Sequence, residues 1–317
     1  MMTDNHVTVR ALSPDDLEAV VALDKQFSGV SRLDFFSKRL KAQQQNPNTF
    51  ISLSAEVDGQ VAGFVSCHML EGEFGATEPK AVLDAIGVDR EFQRRGVGNT
   101  LFTQLIDEVR QLGGSELQSV VKWDQPDLLR FFSDAGFELA NRHVLELATD
   151  AMNESEFDGA DLSRDRVPMR TLVKEDLASI VRIDRHITEQ DRTAYYQRTV
   201  TQALEETGVR VSLVAEKDDA IKDKLADIRG FIMARVDNGS FGQTSSEAVI
   251  DTIGVDPASR DQDIGQALVS QLVANLKALH VESIRTEVPW DNFNLNGFLQ
   301  QCGFRPAQRL ALTCPIH

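Results

Sequence analysis

In 317 residues the chain has only three cysteines, two tryptophans and two tyrosines. Cys67, Cys302 and Cys314 show no CxxC spacing and no framework of pairs. That pattern excludes a disulfide scaffold and points to reduced thiols in a cytoplasm. No apolar run approaches membrane-spanning length, and the N-terminal MMTDNHVTV lacks a signal-peptide core, so neither a membrane partner nor secretion is expected. Positive charge is also scarce: 33 Lys and Arg face 49 Asp and Glu, a net charge of −16. Such a balance argues against a general nucleic-acid binder and is compatible with cationic or amine-bearing partners. The sequence has no metal-ligand cluster, nucleophile triad or basic aromatic patch. What it does have is an ordinary globular make-up, 42% hydrophobic and 26% charged, at a length that favours two domains over one.

The two domains are copies of one unit. LDAIGVD (83–89) recurs as IDTIGVD (250–256), and VKWDQPDLLRFFSDAGF (121–137) as VPWDNFNLNGFLQQCGF (288–304), both 167 residues later. Upstream the offset is 160: RALSPDDLEAVVALD (10–24) pairs with RTLVKEDLASIVRID (170–184), and Arg32 with Arg192. The seven extra residues fall between 216 and 230, where a polar hairpin turn tolerates insertion. The acidic, aperiodic segment around 148–165 reads as a linker, so the expected division is 1–147, 148–165 and 166–317.

Each unit has the same order. Ser13-Pro14 opens a first helix carrying Leu17, Val20 and Val21 at helical spacing, and a second helix covers about 34–45. Strands follow near 50–57, 61–69 and 82–88. A glycine turn leads into a helix over 98–112 with Leu101, Leu105, Val109 and Leu112 in one stripe. A strand at 117–122, a short helix at 127–135 and a last strand at about 142–147 complete it. The fold class is α/β: a central, mostly antiparallel sheet flanked by helices, twice over.

The turn Gln93-Arg94-Arg95-Gly96-Val97-Gly98 carries the chemistry. Glycines let backbone approach a ligand or take positive φ. The helix behind them starts with unpaired amides and the positive end of its dipole, an anion site. Gln93, Arg94 and Arg95 add donors and charge. No Gly-Lys-Ser/Thr follows, so this is no Walker A loop, and without a third glycine it is no dinucleotide fingerprint. IGVDREFQRRGVGNTLFTQLI (86–106) resembles motif A of the GNAT acetyltransferases, and WDQPDLLRFFSDAGF (123–137) resembles that family's following motif. The resemblance spans both halves. It implies an acetyl-CoA-dependent N-acetyltransferase. The pyrophosphate would lie on the amides of residues 93–99, through Val97, Gly98 and Asn99, and the pantetheine arm along Ile86, Gly87 and Val88. Phe132, where the family often has a tyrosine acid, would pack against that arm or the core, and Leu299 is its counterpart.

The second copy is damaged at the turn. Gln93, Arg94, Arg95 and Gly96 become Arg260, Asp261, Gln262 and Asp263, and only Gly98 survives, as Gly265. Residues 89–99 carry net charge +1, their counterparts 256–266 net charge −2. A carboxylate at about 4 Å from a phosphate opposes binding by roughly 4 kcal/mol at an effective dielectric of 20. Asp263 is expected to be a helix N-cap. The first copy is thus expected to hold the cofactor. Asp84 is the candidate to orient an amine or water. His68, a lone strand histidine, reads as packing or as a second candidate. Glu287 reads as structural, Asp24 with Arg32 as a pair holding the first helix, and Trp123 and Trp290 as core. The acceptor is a small-molecule amine or a peptide. The alternatives are a non-catalytic acyl-CoA-binding or regulatory protein, or a protein N-terminal or lysine acetyltransferase. The sequence is silent on oligomeric state.

Overall fold

The computed structural model describes residues 7–70, 79–150, 166–205, 210–217, 228–238, 246–259 and 262–316. The expected linker falls largely, and the polar insertion after residue 216 mostly, outside these residues.

The first helix of each half is seeded by an arginine–aspartate clamp. Arg10, on β1 (Thr8–Ala11), grips Asp16 through Nη1 at 2.6 Å and Nη2 at 2.7 Å. Asp16 in turn accepts from the Ser13 amide at 2.8 Å, which closes the turn into α1 (Leu17–Ser28). In the second half Arg170, on β8 (Met169–Thr171), holds Asp176, and Asp176 accepts from the Val173 amide at 2.9 Å, ahead of α5 (Leu177–Thr188). The helix start is therefore built by the carboxylate at its third position, and the Ser13 hydroxyl, which also donates to Asp16 at 2.9 Å, has no counterpart at Val173.

In the first half α1 and α2 (Leu33–Gln45) cover one face of the sheet formed by β2 (Phe50–Val57), β3 (Gln60–Leu70), β4 (Lys80–Val88) and β5 (Glu116–Lys122). Val20, Leu23, Phe36, Phe64 and Ala85 form the core on that side. On the other face α3 (Val97–Gln111) and α4 (Pro126–Asp134) bury Val97, Leu101, Leu105, Val109 and Phe132 against Leu53, Val65 and Leu83. Each fully buried side chain of this size stabilises by ~1.5–3 kcal/mol. The second half repeats the layers with α6 (Thr193–Glu205), β9 (Leu213–Glu216), β10 (Ile228–Asn238), β11 (Ser246–Val255), α7 (Ile264–Ala278), β12 (Ser283–Pro289) and α8 (Phe293–Gln301).

Two features of the sheets position the site. First, β4 and β5 are parallel partners only at Ala81–Leu117 and Val82–Gln118, and beyond Val82 they part. β11 and β12 behave alike, pairing from Glu247 to Val249. Second, a bulge interrupts the β3–β4 ladder: Ser66 faces Ala85 and Cys67 faces Leu83, so Asp84 has no partner. In β10–β11 the same break leaves Asp251 unpaired.

The last strand of each half forms as expected but joins the sheet of the other half. The orders are β1-β2-β3-β4-β5-β14-β6 and β13-β7-β12-β11-β10-β9-β8. Strand β7 (Arg142–Ala148) pairs with β12 along its whole length, and β14 (Arg309–Pro315) does the same with β5. The short β6 (Glu138–Leu139) and β13 (Arg305–Pro306) complete the two edges. Arg142 crosses the junction to Glu287 (Nε–Oε2 2.6 Å) and to the Leu312 carbonyl at 3.2 Å. Its counterpart Arg309 reaches Glu247 at 2.7 Å.

Candidate functional site

The turn lies where β4 ends and α3 begins. Asp89 anchors it, accepting from the Glu91 amide at 2.9 Å and from Gln26 Nε2 at 2.9 Å. Gln93 donates to the Val88 carbonyl at 3.3 Å, tying the turn to the end of the strand. Arg94 and Gly96 both take left-handed backbone, at φ 61° and 85°. Only glycine does so at no steric cost, and a Cβ on Gly96 would meet nothing within 4 Å. Gln93, Arg94, Arg95, Gly96 and Asn99 are exposed, whereas Val97 points into the core. The first amides of α3 have no partner within the helix, and no carboxylate side chain stands at its start. The result is an open, positively charged cradle at a helix N-terminus.

Among the described residues of the second turn, the left-handed position before the helix is kept and its glycine is replaced by an aspartate. Asp263 stands at φ 53° just before α7, as expected of a residue at the cap, but its side chain makes no capping hydrogen bond. Its role is conformational: it fills the left-handed position that Gly96 fills in the first half, a state aspartate tolerates better than most residues. Gln262 is engaged by Arg229 (Nη1–Oε1 3.3 Å), while Arg260 and Asp261 lie outside the described residues.

At the point where β4 and β5 part lies a buried polar cluster. His68 Nδ1 is 2.9 and 3.0 Å from the two carboxylate oxygens of Asp84, and Arg39 Nη2 is 3.1 Å from Oδ1. Asp84 is thus paired with a histidine and an arginine. In the second half Asp251 pairs with Arg235, the counterpart of His68.

A family model described as the acetyltransferase (GNAT) family matches residues 17–137 and again 176–304. The chain belongs to the GNAT family. It is an acyltransferase of tandem form. No curated protein matches it. Among solved structures it resembles a GCN5-related glucosamine N-acetyltransferase region of a fungal multi-domain β-N-acetylglucosaminidase, with TM-score 0.67 and 17% identity over 98% of this chain and 38% of that one. It also resembles a tandem GNAT protein from the clavulanic acid biosynthesis pathway, with TM-score 0.64 and 16% identity over 98% and 99%. A GCN5-related N-acetyltransferase from Sphaerobacter thermophilus gives TM-score 0.59 and 14% identity over 98% and 96%. At these identities the likeness is one of fold. The chain spans about two fifths of the first of these structures and nearly all of the other two.

Seen as a GNAT fold, the remaining candidates separate. Gly87 is required by packing, because a Cβ there would come within 2.7 Å of Phe64; Gly254 meets Phe231 in the same way. Phe132 is fully buried, packed on Phe131 and Phe137, and so belongs to the core. The aromatic beside the turn is its neighbour Phe131, whose ring lies 4.0 Å from a Cβ built on Gly98, as Phe298 lies 3.0 Å from one on Gly265. The i, i+33 spacing of Gly98 and Phe131, repeated at Gly265 and Phe298, was the available signal. The tryptophans are not core: Trp123 is 58% and Trp290 47% exposed, at the ends of β5 and β12. Each stands where its strand runs into a turn.

The pairs expected to be structural are so placed. Arg32 is buried and grips Asp24 through Nε at 2.7 Å and through Nη2. Arg192 reaches Asp184 at 2.8 Å, and the Tyr196 hydroxyl donates to the same oxygen at 2.9 Å. Burial alone would raise the Glu287 pKa, but Arg142 and Arg285 outweigh it and hold it below the usual glutamate range. A carboxylate so held is an ion-pair member and a poor base. Burial pushes Cys302 up to about 12 and raises Cys67 and Cys314 as well, so none of the three is poised as a thiolate.

Proposed function

We propose that the N-terminal half binds acetyl-CoA and that the chain transfers its acetyl group to a primary amine of a small molecule or peptide. The observation that carries this reading is the contrast between the two turns: Gly96, open on all sides at φ 85°, against Asp263 at φ 53° in an otherwise equivalent frame. The residues present fit the cosubstrate. Gln93, Arg94, Arg95 and the amides of Gly96 through Asn99 would hold the pyrophosphate. The backbone of Ile86, Gly87 and Val88, on the side of β4 that has parted from β5, would pair with the pantetheine arm. That pairing fixes the thioester beside the parted strands, so positioning supplies much of the rate. A thiol leaving group of pKa ~8.5 departs without a dedicated acid, in keeping with a phenylalanine at position 132.

The division of labour follows 1–147 and 166–317, joined through 148–165, with each half contributing its last strand to the other. Among the described residues no helix is long and apolar enough to cross a membrane, and with three free thiols we place the protein in the cytoplasm. The test is twofold. Acetyl-CoA should raise Tm, and CoA thiol should appear when a panel of amines is supplied. A Tm rise with no thiol over a broad panel would replace the transferase by a non-catalytic acyl-CoA-binding module.

A further inference from the structure

Neutralising a buried aspartate takes one cation, yet the first half surrounds Asp84 with two basic side chains, Arg39 of α2 and His68 of β3. The second half shows what packing alone requires. There Arg235 replaces His68 and pairs with Asp251. Thr199 stands at the Arg39 position, its hydroxyl bonded to its own helix at the Tyr195 carbonyl, 3.0 Å away. Each half thus neutralises its bulged aspartate with one arginine, from a different element. Only the first half adds an imidazole, and it is the half whose turn is intact. An arginine takes up no proton, so the half with the damaged cradle is also the half without a proton acceptor at this point.

The position is suited to the reaction. Asp84 lies two residues past Val82, the last residue of β4 to pair with β5, where the strands begin to part. An arm running from the turn along Val88, Gly87 and Ile86 is directed towards it, and the strand from Val88 to Asp84 spans about 13 Å. A carboxylate paired with a guanidinium accepts hydrogen bonds only, so His68 donates to it from Nδ1, and Nε2 is the ring nitrogen that Asp84 does not engage. The His68 side chain is 11% accessible, and its polar contacts among the described residues run through Nδ1. The charged and titratable neighbours are Asp84 from β4, Arg39 from α2 and Cys67 beside it on β3, with the Phe50 ring at 6.2 Å as an apolar wall.

We infer that His68 is the proton acceptor of the transfer, with Asp84 orienting its ring and Arg39 holding Asp84 in place. The inference rests on the acetyl-transfer reading. His68 Nε2 takes one proton from the acceptor's ammonium group. The free amine attacks the thioester carbonyl, and the carbon–nitrogen bond forms as the carbon–sulfur bond breaks. The second proton shed by the nitrogen leaves with the sulfur as CoA thiol.

The experiment uses the full chain. Thiol release from acetyl-CoA is followed with glucosamine, spermidine, L-lysine and a peptide bearing a free N-terminal alanine, and the most active probe is carried through the variants. His68→Asn, whose amide nitrogen takes the place of Nδ1 beside Asp84 but accepts no proton, should lower kcat by roughly 100-fold or more. It should also abolish the acidic limb of the pH profile while keeping the Tm rise with acetyl-CoA. The double variant Arg39→Thr, His68→Arg copies an arrangement the second half already accommodates. It should keep the Tm rise and show the same loss. Wild-type turnover with His68→Asn retaining kcat within about threefold and the same acidic limb overturns the assignment of His68. A wild-type protein with neither Tm rise nor thiol release is a different result, and removes the transferase reading beneath it.

Discussion

The turns before α3 and α7 each hold a left-handed residue, Gly96 at φ 85° and Asp263 at φ 53°, and both strands before them carry a glycine forced by a phenylalanine ring. The halves agree wherever the fold needs a backbone state or a filled space. They part where a ligand would sit: an open glycine against a carboxylate, net charge +1 against −2, an imidazole against a guanidinium. Frame and chemistry are thus separable. A half whose turn has changed remains a folded partner, because the packing residues are a different set. The exchange of last strands gives the second half a structural part in the first: β14 is an interior strand of the first sheet, held on one side by β5 and on the other by β6.

That comparison can be broken most severely by cutting the chain after residue 150. The first half then keeps its turn but loses β14, which exposes the β5 edge and its apolar partners. We expect no cooperative thermal transition and aggregation in place of a monomeric species; a sharp melt and acetyl-CoA binding by the fragment would make the second half dispensable. Next in size are the buried arginine–aspartate pairs. Arg32→Met strands Asp24 without its two-pronged partner and should cost ~3–5 kcal/mol. Arg192→Met should cost clearly less. Arg192 uses only Nη1 on Asp184, its Nε and Nη2 are buried without partners, and the Tyr196 hydroxyl stays on the carboxylate. Urea midpoints of the two variants decide, and equal losses would contradict the asymmetry.

The turns themselves come third. At a concentration 100 times Kd, acetyl-CoA should stabilise the wild type by ~2.7 kcal/mol. Gly96→Asp should remove that gain, and Asp263→Gly should leave it intact. A gain that survives Gly96→Asp would mean the wrong half has been chosen. The smallest effect concerns acid. The hydrogen bonds from Arg10 hold the Asp16 carboxyl down at about 2, against 3.8 for the free group. A depressed value stabilises above the unfolded pKa, and the contribution is lost as pH falls from 3.8 towards 2. Arg10→Met should therefore lower stability at neutral pH and flatten its decline over that interval. Urea midpoints against pH would show it, and parallel curves would count against it.

Much of this was legible in the residues. The repeat, its two offsets, the order of helices and strands and the unequal turns are local patterns, and local patterns survive in a linear text. Phe132 could be read either way because an aromatic in the last turn of a short helix has two apolar surroundings to choose from, and burial among Phe131 and Phe137 decided for the core. Trp123 and Trp290 misled because a shared large apolar residue usually marks a core, while these two share a surface turn.

From sequence alone it follows that the chain is a doubled α/β unit with one intact glycine turn, because periodicity, glycine position and charge act over a few residues. Tertiary structure alone decided which sheet receives each last strand. Arg142–Ala148 and Arg309–Pro315 are related by the same 167-residue offset, and either could pair with β5 or β12, so near-equivalent edges left the outcome to the closing of the junction between the halves. It alone also brought Arg39, His68 and Asp84 together, since a bulge and a helix packed from 45 residues away set that geometry.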